Sequence, residues 1–202
     1  MSKIVADISM SLDGFVTGPD PGPDHGLGAG GEALHTWALD SQDPIDADVL
    51  RDGTEATGAV LMGRRLFDIV DGPHGWSDEM GYGAGLAATP PFFVVTHAAP
   101  PQIRLDLPFT FVTTGLRAAL DQARTAAGDQ NVVVMGGGDV VRQCVDEGLA
   151  DELHIHLSPV VLGAGTSLFT GSRRRPLRQL QARVSATAAH LVYGVEDRGA
   201  PA

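Results

Sequence analysis

Three consecutive glycines after a β-branched segment are the part of the sequence with the clearest chemical meaning. Residues 131–135 are mostly valine, the glycines Gly136, Gly137 and Gly138 follow, and a helical pattern starts at Asp139. In an α/β fold this order places a glycine turn between a buried strand and a helix N-terminus. Backbone N–H groups in such a turn can approach a phosphate closely, and the helix dipole favours the negative charge. The segment, including Asp139, therefore predicts a site for a nucleotide cofactor.

Two further predicted strand ends carry residues suited to the same ligand. Gly63, Arg64 and Arg65 follow a short apolar segment, and another apolar segment ends at Thr96 and His97. Ligands of open α/β sheets bind at the carboxyl ends of the strands, so the three ends together could hold an extended dinucleotide. The glycine turn would contact the pyrophosphate, and one of the arginines a phosphate or a 2′-phosphate. Thr96 and His97 would lie near the adenosine half.

The residues alone leave the catalytic acid open among four candidates. Asp13, Glu32, His35 and Asp40 surround a long loop and the first predicted helix. One of them could donate a proton, or a carboxylate could bind an amidine-like ring edge with paired hydrogen bonds. Asp13 also suits a turn before Gly14, and Asp40 also suits a helix end.

Several other patterns predict structure rather than chemistry. Residues 26–31 match G-x-G-x-x-G, but a long loop and not a strand precedes them, so we expect a flexible loop that covers a site. His154 and His156 share one strand face at a spacing that suits a metal, yet no further ligands complete a set, so no metal is predicted. Cys144 lies on the apolar side of a helix, where a buried structural thiol is expected.

The hydrophobic pattern predicts an α/β fold with alternating strands and helices. Strands are expected at residues 3–9, 59–62, 92–96, 110–113, 132–135 and 151–161, with two β segments within 177–195; helices are expected at 32–39, 47–57, 64–70, 116–127 and 139–147. Gly/Pro-rich excursions fill residues 10–31 and 71–91. This alternation indicates a single domain over residues 3–196, with a mainly parallel central sheet, helices on both faces and an antiparallel C-terminal edge.

Composition narrows the class of partners. The chain has 202 residues and a formal net charge of -11, which argues against a nucleic-acid or anionic-membrane surface. No apolar run approaches the roughly 20 residues that span a bilayer. The N-terminus does not resemble a signal peptide, so a cytoplasmic location is expected. The apolar terminal strands would suit a two-fold interface.

Five short motifs occur in one order along nearly the whole chain. They are SLDGFV at 11–16, MGR at 62–64, VVTH at 94–97, MGGG at 135–138, and DEL followed by PVVLGxG and LF within 151–169. Together they resemble the dihydrofolate reductase-like family, which includes the reductase domain of bacterial riboflavin biosynthesis. The resemblance implies a dihydrofolate reductase-like fold, NADPH as hydride donor and often a homodimer. It maps NADPH onto Gly63, Arg64, Thr96, His97 and the glycine turn, with residues 12–31 as a lid.

The resemblance also implies an NADPH-dependent reductase acting on a C=N or C=O group of a small heterocycle, pterin-like or ribosylaminopyrimidine-like. The first helix departs from the pattern of true dihydrofolate reductases; Glu32 is the nearest acidic residue, with Asp13 as the second choice. No separate deaminase domain with zinc-ligand spacing is expected. A true dihydrofolate reductase, a non-catalytic nucleotide- or pterin-binding module, and a flavin- or quinone-type reductase are the alternatives. Trp37, Trp76 or Tyr82 could stack on a flat ring.

Overall fold

One large sheet organises the molecule. The computed structural model describes residues 2–77, 81–83 and 85–196, so part of the predicted excursion at 71–91 lies outside the described residues. In chain order the strands are β1 (Ile4–Ser11), β2 (Phe15–Thr17), β3 (Thr57–Gly63), β4 (Phe92–Val95), β5 (Phe109–Val112), β6 (Asn131–Gly136), β7 (Glu152–Ser158), β8 (Thr166–Ser167), β9 (Leu177–Val184) and β10 (Ala189–Val195).

Helices connect most of these strands. They are a 3-10 helix (Gly31–His35), α1 (Thr36–Leu39), α2 (Pro44–Glu55), α3 (Arg64–Val70), α4 (Leu116–Ala127) and α5 (Gly138–Glu147). Glycines with positive φ, Gly128 and Gly148, follow α4 and α5, where a left-handed residue ends a helix at little strain. None of the helices in the described ranges is long and apolar enough to cross a membrane.

The strand order confirms the predicted mainly parallel sheet. Within the described residues eight strands follow the order β5-β4-β3-β6-β1-β7-β10-β9, and β2 pairs separately with β8. All pairs from β5 to β7 are parallel, whereas β10 runs antiparallel to both β7 and β9. The predicted antiparallel C-terminal edge is therefore present. Parallel strands also bring all their carboxyl ends to one edge of the sheet.

The two faces of the sheet are covered differently. One face packs against α4 and α5 through alternate residues such as Ile4, Ala6 and Ile8 of β1. The other face holds a smaller apolar cluster around Phe67 of α3. The side chain of Asp7 falls on this second face because residues alternate along a strand. A charged residue thus lies in the middle of a central strand.

Two helix boundaries differ from the sequence-based expectation. The helix predicted at residues 47–57 begins at Pro44, because the Asp43 side chain accepts the amide of Ile45 at 2.9 Å and proline suits the first helical position. The helix predicted at 32–39 is a 3-10 helix followed by a single α turn. The predicted loop at 10–31 contains the short strand β2.

Candidate functional site

The glycine turn joins β6 to α5 at the carboxyl edge of the sheet. Gly136 ends β6 with a φ of +127°, a conformation that glycine adopts freely and side chains resist. Gly137 precedes α5, and its carbonyl accepts the amides of Val140 and Val141 at 3.0 and 3.2 Å. The Gly136–Gly137 peptide bond is cis. The first amides of α5 therefore lie beside the turn, as predicted from the sequence.

The middle glycine faces open space. A Cβ added at Gly137 would meet no described atom within 4 Å, and the residue is partly exposed. By contrast, a Cβ at Gly63 would lie 2.8 Å from Cγ2 of Val140, and one at Gly138 would lie 2.9 Å from Cγ2 of Val16. Packing within the protein thus explains Gly63 and Gly138, whereas Gly137 leaves room for a ligand to approach the backbone.

Arg64 and Thr96 meet beside the end of β4. The Arg64 guanidinium donates from Nε to Oδ1 of Asp68 at 2.7 Å and from Nη1 to the carbonyl of Ala98 at 2.9 Å. The buried hydroxyl of Thr96 donates to the same carbonyl at 2.8 Å. His97 is exposed next to it. Arg64 is therefore directed towards the strand end at which the adenosine half was expected.

Arg65 points the other way, towards the glycine turn. Its side chain is 92% exposed, and Nη1 lies 3.7 Å from Oδ2 of Asp139. Asp139, in the first turn of α5, also accepts Nη2 of Arg142 at 2.8 Å. The two arginines offset the negative charge that Asp139 would otherwise present to an anion at the turn.

The sheet register places these strand ends side by side. Gly63 pairs with Val95, and Met62 pairs with Gly136, so β3 lies between the end of β4 and the glycine turn. The structure thus gathers the sequence-derived cofactor residues along one edge. Their contact with a cofactor remains a prediction.

The two sequence-derived acids lie elsewhere on the loops. Asp13 is exposed and accepts the hydroxyl of Ser11 at 2.7 Å and the amides of Leu162 and Gly163 at 3.1 and 2.7 Å. The Ser11 hydrogen bond, with these amides, lowers the pKa of Asp13. Asp13 therefore links the loop after β1 to the loop after β7 through hydrogen bonds. Glu32 is exposed on the 3-10 helix. Their catalytic roles also remain predictions.

A buried chain of four ionisable side chains lies on the second face of the sheet. Asp7 Oδ1 contacts Nε2 of His156 at 3.1 Å, Nδ1 of His156 contacts Nδ1 of His190 at 2.7 Å, and Nε2 of His190 contacts Oδ1 of Asp46 at 2.7 Å. We call this group the Asp–His–His–Asp chain. The hydroxyls of Ser41 and Thr187 also donate to Asp46.

Strand pairing builds most of the Asp–His–His–Asp chain. Asp7 pairs with His154 across β1 and β7, and His156 pairs with His190 across β7 and β10. Asp46 reaches the chain from α2. Trp37 covers it: the indole stacks on His156 with ring centroids 4.1 Å apart and donates from Nε1 to Ser9 Oγ at 2.9 Å.

Exposure changes along the Asp–His–His–Asp chain. The side chains of Asp46, His190 and His156 are 1%, 4% and 6% exposed, whereas that of Asp7 is 31% exposed. Burial raises the pKa of Asp7. The charge and hydrogen bond of His156 and the charges of His154 and His190 together lower it by more, so the net shift is downwards. Asp7 is thus an ionised group at the open end of a buried chain.

The sequence carried only part of this signal. His154 and His156 were expected on one strand face and to be structural, and the structure confirms the shared face. Asp7 lies between the apolar residues Ala6 and Ile8 of a central strand, which is an unfavourable position for a charge unless it is paired. Its partners could not be found by spacing, because His156 lies 149 residues away and His190 lies 144 residues from Asp46.

The remaining candidates are accounted for by packing. Cys144 is fully buried and burial raises its pKa to about 12, which confirms the predicted structural thiol. Trp76 packs against Phe92 with centroids 5.7 Å apart, and the Tyr82 hydroxyl lies 2.8 Å from Oγ1 of Thr57. In the part of the chain that the structure describes, no three His, Cys, Asp or Glu side chains converge as metal ligands.

His35 makes the stability of the fold depend on pH. Its Nδ1 is buried and has no hydrogen-bond partner among the described residues. Burial, followed by the charge of His156, lowers the pKa of His35 from 6.5 to about 4. Between these values the unfolded chain binds a proton that the folded chain refuses, so stability falls as the pH falls.

Replacing His35 with glutamine is expected to remove this pH dependence. Between pH 7 and pH 5 the wild type should lose about 2 kcal/mol of unfolding free energy that the His35→Gln variant keeps. Urea denaturation of both proteins at the two pH values measures the difference. Parallel losses in both proteins would mean that His35 is readily protonated in the fold.

Several solved structures share this fold. A putative riboflavin biosynthesis protein from Shewanella sp. PV-4 superimposes with a TM-score of 0.68 at 20% identity, covering 96% of this chain and 99% of that one. Dihydrofolate reductase from Enterococcus faecalis complexed with NADP(H) and RAB-propyl gives 0.60 at 14% identity, covering 96% and 97%. These likenesses confirm the predicted dihydrofolate reductase-like fold.

Three further comparisons identify the family. A diaminohydroxyphosphoribosylaminopyrimidine deaminase/5-amino-6-(5-phosphoribosylamino)uracil reductase from Thermotoga maritima gives a TM-score of 0.61 at 15% identity, covering 96% of this chain and 56% of that one. The uncharacterized protein YyaP of Bacillus subtilis (strain 168) is 22% identical over 179 residues, which are 86% of this chain and 83% of YyaP. The family model described as the RibD C-terminal domain matches residues 2–192. The chain therefore belongs to the RibD C-terminal domain family.

Proposed function

We propose that this protein is an NADPH-dependent reductase that adds hydride to a C=N or C=O group of a small heterocycle, pterin-like or ribosylaminopyrimidine-like. Family membership and the structural relatives, which are described as a uracil reductase and a dihydrofolate reductase with NADP(H), support an oxidoreductase. The observation that carries the proposal is the open space at Gly137, where the backbone of a strand-to-helix turn is left accessible.

The residues at the sheet edge fit a dinucleotide. The pyrophosphate would lie against Gly137 and the first amides of α5, where the helix dipole favours an anion. Arg65 would add positive charge there, since it already lies near Asp139 at the start of α5. Arg64 is directed towards the end of β4 and would bind the 2′-phosphate next to Thr96 and His97. A bound reduced nicotinamide would supply the hydride.

The substrate would lie on the second face of the sheet, over Asp7. Ala6 pairs with Val134 across β1 and β6, so Asp7 lies level with Met135, one residue before the glycine turn. Neighbouring strands are about 5 Å apart, so a ligand that enters at the turn reaches Asp7 within one or two strand widths. Asp7 and His154 keep 31% and 26% of their side-chain surface exposed there. Glu32 and Asp13 are the sequence-derived candidates for the proton donor.

The oligomeric state and the location in the cell are also part of the proposal. A homodimer would use the sheet edge at β9, where Leu180 and Val184 are exposed. A cytoplasmic location is proposed from the sequence alone.

Valine at Gly137 is expected to weaken NADPH binding at least roughly tenfold, since its side chain would fill the space through which a phosphate approaches. The fold should survive, because that space holds no described protein atom. NADPH titration followed by nicotinamide fluorescence measures the effect. Gly53→Ala is the control, since Gly53 also faces open space but lies in α2. Wild-type affinity in a folded Gly137→Val protein would contradict the site.

The two arginines are expected to separate NADPH from NADH. Arg64→Ala should lower NADPH affinity roughly tenfold and NADH affinity much less, because only NADPH carries the 2′-phosphate. Arg65→Ala should weaken both cofactors alike, because both carry the pyrophosphate. Parallel titrations of the two variants with both cofactors give the comparison, and Arg117→Ala on α4 serves as the control. Equal losses in Arg64→Ala would exclude a 2′-phosphate role for Arg64.

A further inference from the structure

The three contacts of the Asp–His–His–Asp chain require a shared proton. Each contact joins two atoms that accept hydrogen bonds when unprotonated, so each needs one proton between them. Two neutral imidazoles bring one proton each, and two carboxylates bring none. With only two protons, one of the three contacts would join two bare acceptor atoms, which repel each other at distances such as the 2.7 Å between the two Nδ1 atoms. A third proton must therefore lie within the chain. Two negative carboxylates and one extra proton leave a single net negative charge.

The surroundings of the two histidines in the chain differ. Burial is the largest effect on His190 and lowers its pKa, while its hydrogen bond to Asp46 raises it only in part. Burial raises the pKa of Asp46, but its hydrogen bonds outweigh this and bring it to about 2, so Asp46 is ionised. The face of Trp37 lies against the His156 ring, and an indole face attracts a cation.

The chain has one open end in the described structure. Asp46 and both histidines are nearly fully buried, while Asp7 is partly exposed on the face that borders the glycine turn. His156 Nε2 touches Asp7 Oδ1, so a proton leaving His156 passes to Asp7. The other carboxylate oxygen, Oδ2, lies 3.9 Å from Nδ1 of His154. Asp7 is therefore the group from which a proton of this chain can reach a ligand.

We propose that the Asp–His–His–Asp chain is a proton relay that delivers the proton of the reduction through Asp7, a role that rests on the reductase function proposed above. Reduction of a C=N bond forms a C–H bond with the hydride and an N–H bond with a proton. The Nε2 proton of His156 passes to the Asp7 carboxylate, which gives it to that nitrogen, and the proton between the two Nδ1 atoms stays within the chain. One proton from solvent then restores the chain.

Other ionisable groups surround the relay and set its charge. On β7, Glu152 Oε2 accepts a hydrogen bond from His154 Nε2 at 3.0 Å, and the 3-10 helix contributes His35. Tyr82, from the loop before β4, has its pKa raised by burial and by the charge of Asp7. Asp7 is the catalytic residue of this proposal, and His156, His190 and Asp46 position and resupply its proton.

Histidine ¹⁵N–¹H spectra of the unliganded protein test the shared proton without any activity. At about pH 7, three of the four ring nitrogens of His156 and His190 should carry protons, and the signals should be assigned with His156→Gln and His190→Gln. Two singly protonated rings in the wild type would overturn the shared proton. This result is independent of whether the protein is a reductase.

Turnover tests the delivery step. The substrates are a panel of pterins, dihydrofolate and ribosylaminopyrimidines, and NADPH oxidation is followed. Asp7→Asn should lower kcat roughly 100-fold or more while leaving NADPH affinity unchanged, which is the size of effect expected for a general acid. Asp121→Asn, on the exposed surface of α4, is the matched control. A wild-type kcat in Asp7→Asn would overturn delivery through Asp7. A loss of this size confined to Glu32→Gln or Asp13→Asn would overturn it as well.

The Asp46→Asn variant distinguishes a role of Asp46 in the proton relay from a purely structural role. Removing the buried negative charge makes the shared proton less stable, so the alkaline limit of kcat should move to lower pH. A purely structural role would lower Tm and leave the pH profile in place. If the wild type binds NADPH but oxidises it with no member of the panel, the proposed reductase fails; the histidine spectra then still decide whether the chain shares a proton.

Discussion

Parallel pairing of β1 with both β6 and β7 is the constraint on which the rest of the site depends. On one side it sets Asp7 level with the residue that precedes the glycine turn, and on the other it sets Asp7 opposite His154. Antiparallel pairing then brings His190 opposite His156. Because side chains alternate along each strand, a register slip of one residue in β1 would turn Asp7 to the other face of the sheet, away from these histidines. One register thus creates both the sheet edge proposed to bind the cofactor and the buried ionisable chain.

The Asp–His–His–Asp chain is an unusual use of a protein interior. Buried ionisable groups are unfavourable unless they are paired and hydrogen-bonded, and removing one partner of such a pair costs about 3–5 kcal/mol. Here every member contacts the next, and Ser41 and Thr187 saturate the buried end at Asp46. Apolar residues at these positions would avoid the unfavourable free energy of burying ionisable groups. A linked chain of buried ionisable groups with one partly exposed end is the physical reason to assign it a task beyond packing.

Local sequence signals predicted the glycine turn and the elements beside it, whereas the Asp–His–His–Asp chain depends on pairing between distant parts of the sequence. The β-branched run, the glycines and the start of α5 are neighbours in sequence, so their order was readable directly, and α4 spans the predicted residues 116–127. Gly137 could not be distinguished from Gly138 by sequence, because the difference is the nearby Val16 side chain. Asp7, Asp46 and His190 belong to three distant elements, and only the strand order and the placement of α2 bring them together.

The central claim is that this sheet edge binds NADPH. Titration of the wild-type protein with NADPH and with NADH, followed by nicotinamide fluorescence, tests it most directly. Saturable binding with NADPH preferred is the predicted result, because Arg64 lies where a 2′-phosphate would be expected. Absence of saturable binding by either nucleotide would contradict the claim and would reduce the glycine turn and its neighbouring arginines to structural features of the fold.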